Sequence, residues 1–137
     1  MKNIPRVGIG VIIRKDNKVL LGKRKNAHGE GTWCFAGGKL EYGETWEECS
    51  EREVAEEVGL RVKNIHFSGM VTNDIFQEEG KHYITIFMIC DYVSGEAKVM
   101  EPDKAERWDW FLWKALPEPL FLPIQNLLKR NFNPFEI

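Results

Sequence analysis

The sequence predicts an α/β domain in layers, with helices against a β-sheet, on three observations. Short β-branched and aromatic runs recur between turn signals. One long segment without glycine or proline, residues 45–58, interrupts them, and an apolar helical pattern at 119–130 closes them. Strands broken by one central helix and followed by a terminal one bury their apolar faces best as stacked layers. At 137 residues the chain is expected to be one domain, 1–137, large enough for a core of its own.

Each element has a local reason. VGIGVII at 7–13 is a β-branched run, and Lys15-Asp16-Asn17-Lys18 turns it into a second strand at 19–22. Residues 26–32 (NAHGEGT) read as a polar loop leading to a short strand, Trp33-Cys34-Phe35. Residues 45–58 are rich in Glu, Arg, Ala and Val and should be helical, with Gly43 just before and Gly59 just after as a left-handed stop. Strands near 62–72, 82–92 and 106–112 follow, with turns at Glu78-Glu79-Gly80 and Ser94-Gly95-Glu96. Leu120, Ile124, Leu127 and Leu128 recur at helical spacing and predict the second helix over 119–130.

The first helix carries the chemistry. Glu53, Glu56 and Glu57 stand at i, i+3 and i+4, so their carboxylates share one face, while Val54, Ala55 and Val58 fall on the neighbouring face and pack inward. Like charges this close repel unless a cation sits among them. Oxygen ligands that fill only part of a shell suit Mg²⁺ or Mn²⁺, with water and substrate phosphate completing it. A lone E-x-x-E-E is more often a solvated acidic face. Arg52, Glu44 and the glycine-framed loop before the helix turn the reading toward catalysis.

From Gly38 to Leu60 the chain reads GKLEYGETWEECSEREVAEEVGL. This resembles the signature of the Nudix hydrolases, GX5EX7REUXEEXGU with U aliphatic, and every specified position is filled. Further stretches are similar to the MutT-like nucleoside-triphosphate hydrolases of that family: Ile4-Pro5-Arg6-Val7, Leu20-Leu21-Gly22-Lys23-Arg24, GETWEEC at 43–49, His82-Tyr83-Ile84-Thr85, MEP at 100–102, Trp108-Asp109-Trp110 and Phe132-Asn133-Pro134-Phe135. The resemblance implies the Nudix fold, of α/β (α+β) class, a mixed sheet sandwiched between helices. It implies Mg²⁺-dependent hydrolysis of a phosphoanhydride bond in nucleoside triphosphates, oxidised or non-standard ones included, giving a nucleoside monophosphate and pyrophosphate. Another diphosphate, such as dihydroneopterin triphosphate or a prenyl diphosphate, stays open within the same chemistry. A nucleotide-binding module without turnover is disfavoured by the intact box.

Residue by residue, the resemblance implies Glu53 and Glu57 as first metal ligands, with Glu56 beside them and the Gly37 carbonyl completing the set. The general base is one of these glutamates or a carboxylate from a later loop. Glu106 is the candidate there, with Glu101 and Asp103 as rivals. Arg52 is expected to orient the glutamates by charge-assisted pairs, and Glu44 to hold the loop or bind an extra metal. Lys23 and Arg24 are candidate phosphate clamps, although surface solubility is an equal reading. Gly37 and Gly38 let the backbone approach metal and phosphate. Trp33, Phe35 and Trp110 either stack a base or fill the core. Thr72 and Asn73 are candidates for a base edge. His28, His66 and His82 are not spaced as a metal set. Ala36 stands where the family usually has proline, so a slightly less rigid loop is expected. No proline occurs between Leu60 and Pro102, so the pattern linked to ADP-ribose or NADH is missing, which favours triphosphates.

Composition narrows the partners. A net charge of −2 and an isoelectric point near 6.0 give no basic field for a nucleic-acid polymer. Cys34, Cys49 and Cys90 are too few and scattered for a disulfide framework or zinc site, which fits a reduced cytosol. No signal arrangement or membrane-length apolar run is present, so a soluble cytoplasmic protein is expected. Five tryptophans and eight phenylalanines exceed what so small a core readily hides, and with the resemblance they predict a homodimer, each site formed within one chain.

Overall fold

The computed structural model describes residues 4–26 and 28–136, so Ala27 of the expected 26–32 loop lies outside the described residues. In chain order the elements are β1 (Arg6–Lys15), β2 (Lys18–Arg24), β3 (Trp33–Cys34), β4 (Ala36–Lys39), α1 (Trp46–Glu57), β5 (Arg61–Phe76), β6 (Lys81–Ser94), β7 (Ala105–Leu112), a 3-10 turn (Trp113–Ala115) and α2 (Leu122–Leu128).

Asp16 and Asn17 close the β1–β2 hairpin at φ 49° and 66°, the left-handed pair that a tight hairpin requires. β6 runs parallel to one edge of β1 from Arg6 to Arg14, and β5 pairs antiparallel beyond it. The other edge of β1 is divided. Gly8–Val11 pair with β4, whereas Arg14 and Lys15 pair with β2. β2 is divided likewise, with Lys18 and Val19 on β1 and Gly22 and Lys23 on β3, while β7 covers its far edge. The seven-stranded mixed sheet therefore forks between β1 and β2, and β3 and β4 line the two arms.

Alternation along the strands builds a core on each face. Ile9, Val11, Ile13, Ile86, Met88 and Cys90 meet Cys49 and Val54 of α1 and Val58 at its C-cap. Ile12, Phe87 and Ile89 meet Ile124 and Leu127 of α2 on the opposite face. A mixed sheet between helices is thus the architecture, as expected. β5 and β6 are longer than the sequence suggested, and β4 was not foreseen, because Ala36-Gly37-Gly38 has poor strand propensity and only its pairing with β1 makes it a strand. Ala36 is fully buried there. The terminal helix is shorter than 119–130. The Trp33 N–H donates to the Pro119 carbonyl (2.9 Å) and the Phe121 N–H to the Trp33 carbonyl (2.9 Å), which draws 119–121 out alongside β3. Among the described residues no helix is long and apolar enough to cross a membrane.

At the fork, Gly22 lies opposite Trp108 of β7, and a Cβ on Gly22 would stand 2.6 Å from the indole ring. Gly22→Ala is expected to displace the ring and lower stability by about 1–3 kcal/mol through overpacking. Thermal unfolding followed by tryptophan fluorescence checks this, and an unchanged Tm would show that the ring yields freely.

Candidate active site

Local sequence fixes the helix that carries the glutamates. Thr45 is its N-cap: the Glu48 N–H donates to Thr45 Oγ1 (3.0 Å) and the Thr45 N–H to Glu48 Oε1 (2.8 Å), a reciprocal capping box. Gly59, at φ 67°, ends it in the left-handed conformation. With both ends pinned and Val54 and Val58 in the core, the face bearing Glu53 and Glu57 turns toward β4.

The contact with β4 leaves no room for side chains. A Cβ on Gly37 would collide with the Ile9 carbonyl oxygen, and one on Gly38 with the Glu53 carboxylate. The Gly37 N–H donates to Glu57 Oε1 (2.8 Å), tying the strand to the helix. Arg52 organises the other carboxylates. Its Nε and Nη2 donate to the two oxygens of Glu44 (2.6 and 3.0 Å), and its Nη1 donates to Glu53 Oε2 (3.3 Å) and Glu56 Oε1 (3.2 Å). The Glu41 N–H also donates to Glu44 (2.9 Å). Hydrogen bonds from Arg52 first, then from the Glu41 backbone, hold the Glu44 carboxyl down at about 2. Glu53 and Glu57 behave oppositely. Burial, first of all, lifts Glu53 to about 7 and Glu57 to about 8, and the Glu101 charge pushes both the same way.

These groups line one end of a cleft of about 730 Å³. The structure brings Lys23, Arg24, Phe35, Gly37, Gly38, Arg52, Glu53, Glu56 and Glu57 to its walls, together with Glu101 and Asp103. It does not bring Glu106 or Thr72. Glu106 sits on β7 with its carboxylate 3.6 Å from Lys23 Nζ, outside the lining, because the turn at 101–104 carries Glu101 inward instead. Thr72 is buried on β5, one strand beyond the wall, and its hydroxyl donates to Asp74. Trp33 packs edge-on against Phe111 and Trp110 against Tyr92, so neither stacks in the cleft. The other end of the cleft is aromatic, and the sequence did not announce it. His28 lies parallel to Tyr83 at 5.5 Å and edge-on to Phe76 at 4.7 Å, with Phe121 beside them. Arg24 stacks on Phe121 at 4.0 Å while its Nε donates to the His28 carbonyl (2.8 Å). Burial, then the charges of Arg24, Lys81 and Lys39, lowers His28 to about 4, so its ring is neutral at physiological pH.

The NUDIX domain family model matches residues 4–131. The chain belongs to the Nudix hydrolases. It is 39% identical over 117 residues to an ADP-ribose pyrophosphatase of Methanocaldococcus jannaschii, covering 85% of this chain and 68% of that one. It is 35% identical over 133 residues to an oxidized purine nucleoside triphosphate hydrolase of Danio rerio, covering 92% and 83%. Similarity to the NAD-capped RNA hydrolase NudC of Vibrio parahaemolyticus, at 37% over 109 residues, spans 38% of that longer protein. Among solved structures, a MutT Nudix hydrolase from Burkholderia pseudomallei superposes with a TM-score of 0.85 at 34% identity, covering 94% of this chain and 99% of that one. This Nudix protein is accordingly a hydrolase of pyrophosphate bonds. Nudix hydrolases generally use divalent metals.

The raised carboxyls give a pH signature. Folded and metal-free, Glu53 and Glu57 keep their protons up to about 7 and 8, whereas the unfolded chain releases them near 4.3. The unfolded state then binds fewer protons, so stability falls as pH rises through that window. His28 acts in the opposite sense, but only below its unfolded value of about 6.5. The expected result is a Tm that declines between about pH 6.5 and 8 without metal, and a Mg²⁺-induced rise larger at pH 8 than at pH 6, since the metal needs ionised carboxylates. Scanning fluorimetry in EDTA and in Mg²⁺ decides it, and a metal-free Tm that climbs through this range contradicts it.

Proposed function

We propose that the protein hydrolyses nucleoside triphosphates with Mg²⁺, releasing a nucleoside monophosphate and pyrophosphate. The observation that carries this reading is one cleft with two unlike ends: half-buried Glu53 and Glu57 against the Gly37–Gly38 backbone at one, and an aromatic pocket at the other. Lys23 and Arg24 line the same cleft and suit the phosphate chain. Carboxylate and peptide oxygens are the hard donors Mg²⁺ takes. Among the described residues, however, no three His, Cys, Asp or Glu side chains converge as a ready metal cage, and Glu56 is turned toward Arg52. Glu53, Glu57 and the Gly37 carbonyl are therefore the proposed holders, with Glu56 available on release from Arg52. When bound, the metal neutralises phosphate charge and acidifies a water. Arg52, anchored on Glu44, fixes the direction of Glu53. Glu101, which reaches both box glutamates electrostatically, is the proposed acceptor of the water's proton in place of Glu106.

The relative named for oxidized purine triphosphates supports a purine substrate, and the one named for ADP-ribose makes that nucleotide sugar the second reading. A product screen over nucleoside triphosphates, ADP-ribose, NAD, dihydroneopterin triphosphate and prenyl diphosphates distinguishes them. Glu53→Gln and Glu57→Gln should each lower kcat by roughly a hundredfold or more. Turnover that survives both substitutions, or survives EDTA, rejects the mechanism.

We also infer a homodimer, in which the protein works from two complete sites. Val7, Trp46, Phe67, Val71 and Ile75 are between 37% and 55% exposed, and the register sets the four strand residues on the α1 face of the sheet, where Trp46 meets Phe67 edge-on. Exposed apolar side chains gathered on one face suit an interface. Strand addition is not its mode, because Asn126 and Arg130 donate to the Asn73 and Val71 carbonyls of β5 and blunt that edge. Light scattering should give twice the chain mass, and Val71→Asp with Ile75→Asp should give the monomer with the fold retained. A wild-type monomer at all concentrations refutes the inference.

A further inference from the structure

Asp74 is fully buried on β5, yet no cation pairs with it among the described residues. Its Oδ2 accepts the hydroxyl protons of Thr85 (2.6 Å) and Thr72 (3.0 Å), and its Oδ1 accepts from Asn126 Nδ2 of α2 (2.8 Å). Thr72 and Thr85 are cross-strand partners, so the carboxylate stands over the pair and collects both. A hydroxyl owns one proton and two lone pairs. With the proton committed to Asp74, what Thr85 offers elsewhere is acceptor capacity alone.

Thr85, unlike Thr72, lines the cleft. It faces Gly8, where an added Cβ would lie 3.8 Å from Thr85 Oγ1 and 3.7 Å from the Tyr83 ring. Gly10, the next residue on that face of β1, also lacks a side chain and lines the same wall. The edge of a flat ligand seated at the aromatic end can therefore reach the Thr85 oxygen without crossing a side chain of β1.

We propose that Asp74 is a positioning residue that fixes Thr85 as a hydrogen-bond acceptor, and that Thr85 thereby selects a nucleobase whose edge donates, a guanine-type purine above adenine. Guanine presents a ring N–H and an amino group side by side. Adenine presents an unprotonated ring nitrogen beside its amino group, and a lone pair facing the Thr85 lone pairs leaves both unpaired. The proposal rests on the nucleotide reading of the cleft, but it concerns binding rather than turnover.

The test is calorimetric titration with GMP and AMP, beside KM and kcat for GTP and ATP. The wild-type protein should prefer GMP. Thr85→Val should weaken GMP by roughly tenfold and level the two ligands, with the KM for GTP rising toward that for ATP, and Thr85→Ser should restore the preference. Asp74→Asn introduces an amide that can donate to Thr85, turning the hydroxyl proton toward the cleft, so AMP should gain on GMP at an unchanged Tm. If Asp74→Asn does not fold, the Thr85 pair alone decides. A GMP-to-AMP ratio unmoved by Thr85→Val, or no guanine preference in the wild type, overturns the proposal. Selective monophosphate binding without hydrolysis of either triphosphate would instead overturn the catalytic reading and leave this one standing.

Discussion

The bare backbone of Gly37 and Gly38 is the constraint on which the site depends. On one side the Ile9 carbonyl occupies the space a side chain would need, and on the other the Glu53 carboxylate does. Helix α1 can sit this close to the fork only because β4 presents peptide groups alone. The same closeness gives Glu57 its hydrogen bond from Gly37 and draws both carboxyls partly out of water, which is why their proton affinities rise. Packing and chemistry are here one fact. A side chain at Gly38 would push the helix out, return the glutamates to solvent and weaken their demand for a counter-charge, and one at Gly37 would part β4 from β1.

Arg52 settles how so many carboxylates coexist in one site. Its guanidinium takes a two-pronged grip on Glu44 and spends its remaining edge on Glu53 and Glu56. Because Glu44 also accepts from the Glu41 backbone, the arginine ties the helix to the loop before it. The spacing from Glu44 to Arg52 is thus a distance across the loop-to-helix junction, and lysine would lose the fork geometry that spans it.

The helix and its chemistry were legible because they are local. The left-handed glycine and the i, i+3, i+4 carboxylates are set within a stretch shorter than two dozen residues, where helical periodicity fixes relative position. What failed to show was set by pairing between distant strands. The Ala36–Lys39 strand exists because β1 offers an edge, not because its residues favour extension. Thr72 and Thr85 look alike in sequence, and only the register, which sets them opposite each other with Thr85 on the inner strand, decides which of them a ligand meets. His28 seemed a loop residue until the fold brought Phe76, Tyr83 and Phe121 around it. Glu101 and Glu106 differ by a turn that sequence spacing alone does not resolve.

The fork explains why one cleft serves two kinds of chemistry. Glu53 and Glu57 belong to the helix on one face of the sheet, whereas Thr85, Tyr83 and Phe121 belong to the other face. A continuous sheet would separate them by its full thickness. The split edge of β1 opens a passage instead, with β4 on one arm, β3 on the other and Phe35 at the corner between them. A charged chain of phosphates can then lie near the half-buried acids while the group attached to it rests among apolar rings. Neither environment has to compromise for the other, since the acids stay on the polar side of β4 and the rings stay over α2. Substrate range within such an architecture follows from the ring end, which the catalytic signature does not touch.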